Sequence, residues 1–351
     1  MPVFYIFALM IDFESLNRAY QRDGFYSLQL EVGDRCHQGC IYCYMNALSE
    51  IRNQLTGDII TDILYWSRDI GISAIEWLGG EPLIRPGIFK FMEKAGELGL
   101  RNNMWTGGLP FSDKGIIERT VELCQHGLIS IHLSTLDTSL YSLMHPDRPV
   151  RDIDTILEGV EHALKSGYPP GQLINSVTFT GLQTAEDMIR TMEFFYENYN
   201  ILTSINVYHT YMRPGISDKQ LKRFIPRPEE VSKVYNSYRK LTGSGKLPMN
   251  CVNKQYCSAT LAVLNNGFVT PCATIREEND HMNVKQKGLD RIVEDNREYL
   301  TFGLFKNMEN LPGACRQCNM NSECWGCRSR SYAAGSGIYG QDPRCFRAGV
   351  N

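Results

Sequence analysis

Short apolar runs alternate with longer amphipathic stretches from Ser27 to Tyr211, a rhythm that few architectures can satisfy. Candidate strands cover residues 27–32, 74–78, 102–105, 129–133, 175–179 and 204–208. Candidate helices fall between and after them, at 58–70, 86–98, 113–125, 152–166 and 185–199. Regular strand–helix alternation implies βαβ units around a parallel sheet. Six such units make a partial (βα)6 version of the eightfold TIM barrel, an α/β fold. Residues 213–228, rich in proline and basic residues, read as a linker, and 228–241 as one more helix. From Cys251 onward the helical rhythm fades and cysteine density rises. The expected organisation is an N-terminal extension (1–25), a barrel (26–228), a connecting helix (229–249) and a cysteine-rich domain (250–351).

Length and composition agree: 351 residues with 43% hydrophobic content can bury a large core and a smaller appendage. Net charge is −3 with no basic run, which speaks against a nucleic-acid partner. The first eleven residues are apolar but lack a basic flank and run into Asp12 and Glu14. They read as a strand or plug against the core, so neither export nor a membrane partner is expected. Twelve cysteines without an export signal, clustered at short uneven spacings, suit metal ligation in a reducing cytoplasm better than disulfides. Soft thiolates select zinc or iron–sulfur clusters.

The segment Cys36-His-Gln-Gly-Cys40-Ile-Tyr-Cys43 follows the first expected strand with the spacing C-x3-C-x2-C. Three thiolates on a tight loop can hold three irons of a [4Fe–4S] cube and leave the fourth open. Structural zinc prefers four closed ligands, and His37 is the one nearby fourth candidate; it reads instead as an exposed loop residue. This loop, with aromatic Tyr42 before the third cysteine, resembles the signature of the radical S-adenosylmethionine (SAM) superfamily. That resemblance implies an open iron that chelates the methionine part of SAM, and a 5′-deoxyadenosyl radical that abstracts hydrogen from substrate.

Further segments support the resemblance in the expected order. Gly79-Gly80-Glu81-Pro82 is similar to the family's GGEP motif, whose backbone meets the methionine amino group, and glycines suit close approach to a ligand. Thr106-Gly107-Gly108 resembles its TNG, with glycine for asparagine. Leu133-Ser134-Thr135-Leu136-Asp137 resembles SLDG, with an inserted threonine and no glycine. The resemblance implies Ser134 as a contact to the cofactor ribose or carboxylate, and Arg148, in competition with Arg151, near the methionine carboxylate. All but the arginine fall at the C-terminal ends of expected strands, where barrels collect active sites.

Farther on stand Cys251, Cys257 and Cys272, then Cys315-x2-Cys318-x5-Cys324-x2-Cys327 and a last Cys345. This pattern resembles the SPASM extension of radical enzymes that modify peptides, proteins and some cofactors. One departure is the x2 spacing of Cys324 and Cys327, where x3 is commoner. The resemblance implies two auxiliary [4Fe–4S] clusters, a nearer one on Cys251, Cys257, Cys272 and Cys327 and a distal one on Cys315, Cys318, Cys324 and Cys345. Three clusters then use eleven of the twelve cysteines and leave Cys124 as a core residue. Paired zinc sites are the alternative.

Two substrate classes follow from the relatives that this extension implies. One is a peptide or protein side chain, oxidised or crosslinked. The other is a small cofactor precursor such as a porphyrin or quinone intermediate. Ala273, where sulfatase maturases carry an aspartate base, argues against serine or cysteine oxidation. The short stretch before the first strand leaves no room for a leader-binding domain. Candidate substrate contacts near strand ends are Glu31, His132, Tyr208, His209, Tyr211 and Arg213. Flavodoxin or ferredoxin is the implied electron donor. A non-enzymatic cluster carrier or zinc module is the remaining reading, and it would leave the GGEP-like segment and Ser134 without a purpose.

Overall fold

The computed structural model describes residues 12–208, 218–243, 253–343 and 345. Its strands are β1 (Ser27–Glu31), β2 (Ala74–Leu78), β3 (Arg101–Trp105), β4 (Ile129–Ile131), β5 (Leu173–Phe179), β6 (Leu202–Val207), β7 (Thr260–Val263) and β8 (Val269–Thr270). The principal helices are α1 (Phe13–Gln21), α2 (Gly57–Asp69), α3 (Ile88–Glu97), α4 (Lys114–Leu123), α5 (Thr138–Met144), α6 (Asp152–Lys165), α7 (Ala185–Tyr199), α8 (Asp218–Lys222), α9 (Pro228–Thr242) and α10 (Leu289–Leu300).

All eight strands join one sheet in the order β6-β5-β4-β3-β2-β1-β7-β8. Every neighbouring pair is parallel except β7 and β8. The six expected barrel strands are present, in chain order across the sheet, which gives the partial barrel. Alternate side chains sort the two faces. Leu28, Leu30, Ile75, Trp77, Ile129 and Ile131 pack outward against Ile60, Ile63, Met92, Ile117 and Ile156 of the helical layer. Cys124 belongs to that layer and is fully buried. The opposite face is mostly polar, with Gln29, Glu31, Glu76, Asn103, Ser130 and His132.

Local chemistry sets the helix starts. Thr56, Asp113, Asp137 and Thr184 each accept a backbone N–H at the start of α2, α4, α5 and α7, satisfying donors a helix leaves open. Strand β4 is shorter than expected because the side chain of Asn175 takes both backbone groups of Leu133, at 3.0 Å each, in place of a strand partner.

Three features differ from expectation. The sheet gains β7 and β8 from the cysteine-rich part, and β7 pairs with β1 in parallel from Ser27 opposite Thr260. Helix α10 stands where the helical rhythm was read as fading; Leu289, Ile292, Val293 and Leu300 form its buried stripe. The second half of the expected linker folds as α8 and buries Leu221 and Phe224, whose carbonyl receives the N–H of Gly181 at 2.7 Å. Residues 1–11 lie outside the described residues.

Candidate active site

After β1 the chain enters the cysteine loop, which is laced to the segment that follows β2. The N–H of Val32 donates to Leu78, that of Gly80 to Gly33 (2.9 Å) and that of Glu81 to Arg35 (2.7 Å). A Cβ on Gly79 would stand 2.5 Å from the Gly33 carbonyl oxygen, and one on Gly80 only 2.2 Å from that of Arg35. Glycine is therefore required at both positions by the approach of two backbones, a reason that the sequence reading, which invoked a ligand, did not contain. Asp34, buried, fixes the far side of the loop by accepting the N–H groups of Arg52 and Asn53.

The thiols of Cys36, Cys40 and Cys43 come together on this loop. Burial pushes Cys36 up to about 12, with Glu81 and Cys43 adding to the rise and Arg148 opposing it. Cys40 is raised well above the ordinary thiol range by burial and then by Cys43 and Cys36. Thiols that hold their protons this firmly, as Cys36 and Cys40 do, give them up most readily to a bound cation. Arg148 is the arginine that faces Cys36, while its carboxylate partner Asp152 lies 2.5 Å away. Arg151 and His37 are exposed.

Gln38, between the first two cysteines, ties the loop to the strand ends. Its Nε2 donates to the carbonyls of Gly107 (3.3 Å) and His132 (3.2 Å), and its carbonyl receives His145 Nδ1 at 2.9 Å. A Cβ on Gly107 would meet Gln38 Oε1 at 2.5 Å. The glutamine amide thus fills the space that a side chain at position 107 would need, which accounts for glycine where the related motif carries asparagine.

Tyr42 is buried beneath the loop. Its hydroxyl lies 2.8 Å from His132 Nε2, 3.4 Å from Ser134 Oγ and 3.5 Å from His145 Nε2. Because His145 Nδ1 faces a carbonyl it must donate, so its Nε2 accepts. Burial holds His132 down at about 4, with His145 adding to the effect, and lowers His145 as well, so both rings are neutral near pH 7. Ser134 also receives the N–H of Thr178. Glu81, buried, accepts from Leu83 N–H, Thr106 Oγ1 (2.8 Å) and Gly107 N–H (2.7 Å), and burial raises it to about 7 against those three donors. Pro82 starts the short helix that Glu81 caps. Tyr208 packs with Tyr42, Met144 and Phe224. His209, Tyr211 and Arg213 lie outside the described residues.

Glu31, expected to face substrate, has instead a fully buried side chain with every oxygen occupied. Arg276 Nη1 donates to it at 2.8 and 3.0 Å, Tyr44 Oη at 3.0 Å and Asn265 N–H at 3.1 Å. Arg276 follows Cys272 closely and Tyr44 follows Cys43, so this node joins the two cysteine-bearing segments.

The C-terminal cysteines form two neighbouring groups. Burial raises Cys257 well above the ordinary range, and the next contributions come from Cys327, Cys272 and Cys324. A small cavity is lined by Cys257, Cys272 and Cys327 together with Gln29, Tyr256 and Arg328. Cys315 is raised by burial and then by Cys345, Asp342 and Cys318. Cys251 lies outside the described residues. Among the described residues no three His, Cys, Asp or Glu side chains converge tightly enough for a single metal ion.

Comparison with known families places the model of the Radical SAM superfamily on residues 30–195, which contain the cysteine loop, the GGEP-like turn and Ser134. Residues 30–195 are a radical SAM domain. The chain is also similar to two GTP 3′,8-cyclases. It is 28% identical over 162 residues to a probable GTP 3′,8-cyclase of Methanothermobacter marburgensis, spanning 46% of this chain and half the length of that protein. It is 24% identical over 273 residues to the GTP 3′,8-cyclase of Clostridium acetobutylicum, spanning 72% and 82%. The fold matches Streptococcus suis SuiB bound to S-adenosylmethionine with TM-score 0.67 and 17% identity, over 92% of this chain and 77% of that one. It matches anSMEcpe with bound AdoMet at TM-score 0.65 and 14% identity, over 92% and 95%. No helix among the described residues of this chain is long and apolar enough to cross a membrane.

Gln38, His145 and Arg276 are the residues that sequence reading missed. Each acts through a partner far away in the chain. Gln38 alone carried a local signal, since it lies inside the cysteine motif.

Proposed function

We propose that this chain uses SAM and three [4Fe–4S] clusters to oxidise or crosslink a peptide or protein side chain. Cys36, Cys40 and Cys43 would hold the first cluster, with the backbone of Gly79 to Pro82, Ser134, Tyr42 and Arg148 around the SAM. Cys257, Cys272 and Cys327 with Cys251, and Cys315, Cys318, Cys324 and Cys345, would hold the other two, in a SPASM-type domain over 250–351. When bound, the first cluster and SAM supply one-electron cleavage of the sulfonium and a 5′-deoxyadenosyl radical. The observation that carries the reading is the lacing of the three-thiol loop onto the GGEP-like turn at the mouth of the barrel.

The chain's own residues then bind and orient. Gln38 and Tyr42 hold the thiol loop against the ends of β3 and β4, so the loop keeps its shape while protons leave the sulfurs. The inner face of the strands offers neutral hydrogen-bonding groups, among them Asn103, Ser130, Ser176 and Asn206, beside the carboxylates of Glu31 and Glu76. Its arginine, Arg101, is held by Tyr26 at the far end of β3. That lining suits amide groups better than a polyphosphate, and the solved structure of SuiB bound to the precursor peptide SuiA shares the fold at TM-score 0.67 over 95% of this chain. A second reading, a nucleotide or other cofactor precursor, is supported by the GTP 3′,8-cyclase relatives.

The test is anaerobic reconstitution with iron and sulfide, then incubation with SAM, a flavodoxin or ferredoxin donor, and either GTP or short peptides encoded beside the gene. The expected result is 5′-deoxyadenosine with hydrogen loss from a peptide, abolished by Cys36→Ala, Cys40→Ala or Cys43→Ala. Turnover with GTP alone would establish the second reading in its place.

A further inference from the structure

Arg328 is 2% exposed and follows Cys327 directly. Its guanidinium lies over the ring of Phe305, 4.9 Å from the centroid. Nη1 donates to the carbonyls of Ile338 (3.1 Å) and Gly340 (2.8 Å), and Nε lies 3.4 Å from that of Gly326. Nη2 is buried with no hydrogen-bond partner among the described residues. Among the described residues no carboxylate accepts a hydrogen bond from this guanidinium: the nearby Asp342 is taken by Arg330, through Nε at 3.1 Å and Nη2 at 2.7 Å, and by the N–H of Cys327. Two buried guanidiniums therefore share one carboxylate. A charge buried without a counter-charge is strongly unfavourable, and an unsatisfied guanidinium N–H adds to the cost. The same side chain lines the cavity of Cys257, Cys272 and Cys327, and Cys315 of the neighbouring group acts on it as well.

We infer that Arg328 is the shared counter-cation of the two C-terminal iron–sulfur clusters and raises their reduction potentials, an inference that rests on the cluster assignment proposed above. One electron from the reductant enters an already anionic cluster, and no bond is made or broken. A fixed positive charge in a low-dielectric site favours that reduced, more negative state. Arg328 keeps its proton throughout.

The experiment uses full-length protein carrying Cys36→Ala, Cys40→Ala and Cys43→Ala together, so that only the C-terminal clusters remain. Each sample is titrated with dithionite against redox mediators and followed by electron paramagnetic resonance, with iron counted. Arg328→Gln keeps amide donors for the carbonyls but loses the charge; Arg328→Lys keeps the charge. With iron retained, Arg328→Gln should lower the one-electron reduction constant of at least one cluster tenfold or more, about 59 mV, and Arg328→Lys should retain most of the wild-type value. Iron lost from the Gln variant and kept in the Lys variant also supports the inference. Unchanged potentials in the Gln variant, or equal iron loss in both, overturn it and leave Arg328 a support for its carbonyls. Absence of C-terminal iron before Arg328 is altered refutes the cluster assignment itself, a separate and recognisable failure.

Discussion

Gly80 and Gly107 look alike in sequence, yet the structure gives them different tolerances. The atom in the way of a Cβ at Gly80 is the Arg35 backbone oxygen, which cannot move without shifting the thiol loop. At Gly107 it is the end of the Gln38 side chain, which can rotate. Gly80→Ala should destabilise the protein by about 1–3 kcal/mol and reduce iron retained at the first cluster. Gly107→Ala should cost less on both measures, read by thermal unfolding and iron analysis. Gly107→Asn should be poorly tolerated alone and rescued in part by Gln38→Ala, because the two side chains compete for one space; additivity of the two changes would contradict this. His132 gives a pH-dependent expectation. Its folded-state value near 4 lies below the ordinary 6.5, so an unfolded chain binds a proton that the folded one refuses. Stability from this source is complete above pH 6.5 and falls as pH drops toward 4, by about 2–3 kcal/mol. Urea unfolding from pH 7.5 to 5 should show this slope, and His132→Gln should flatten it.

Among the elements, β7 depends on a charged clamp. Glu31 at the end of β1 is held by Arg276 and Asn265 from the segment around β8, beside the β1–β7 ladder. Removing one partner leaves the other buried without its match, so Arg276→Met should cost about 3–5 kcal/mol. The double change Glu31→Leu with Arg276→Met should recover part of that loss in equilibrium unfolding; a double variant as unstable as the sum would refute the clamp. The same elements mark what could be read in advance. The six βα units were legible because apolar rhythm and length separate strands from helices, and α7 was expected over the very residues it occupies. Strand β7 was not, because Thr-Leu-Ala-Val is buried on both faces and shows no alternation. The stripe of α10 was present at helical spacing but masked by the charged residues between. The cysteine loop and GGEP-like turn were readable from local spacing, whereas Gln38 to Gly107 and Glu31 to Arg276 are pairings across long separations that no window of sequence contains.

For the whole molecule, the two halves differ in what holds them. The barrel has a continuous apolar layer between sheet and helices. Residues 307–343 carry only short helices, Met308–Asn310, Gly313–Arg316 and Arg328–Ala333, around a small apolar cluster that includes Phe305, Leu311 and Trp325. Stripping iron with a chelator under argon should therefore raise hydrogen exchange across 307–343 while β1 to β6 stay protected. Equal protection with and without iron would mean that ligation contributes little there. The parallel pairing of Ser27 with Thr260 also bears on how the chain can be cut. A fragment ending before β7 would leave one flank of β1 with its amides and carbonyls bare in the middle of the molecule. Such a fragment offers a ready template for any passing strand and should come out of expression as aggregates, so the first half is not a free-standing part that could be lent to another protein.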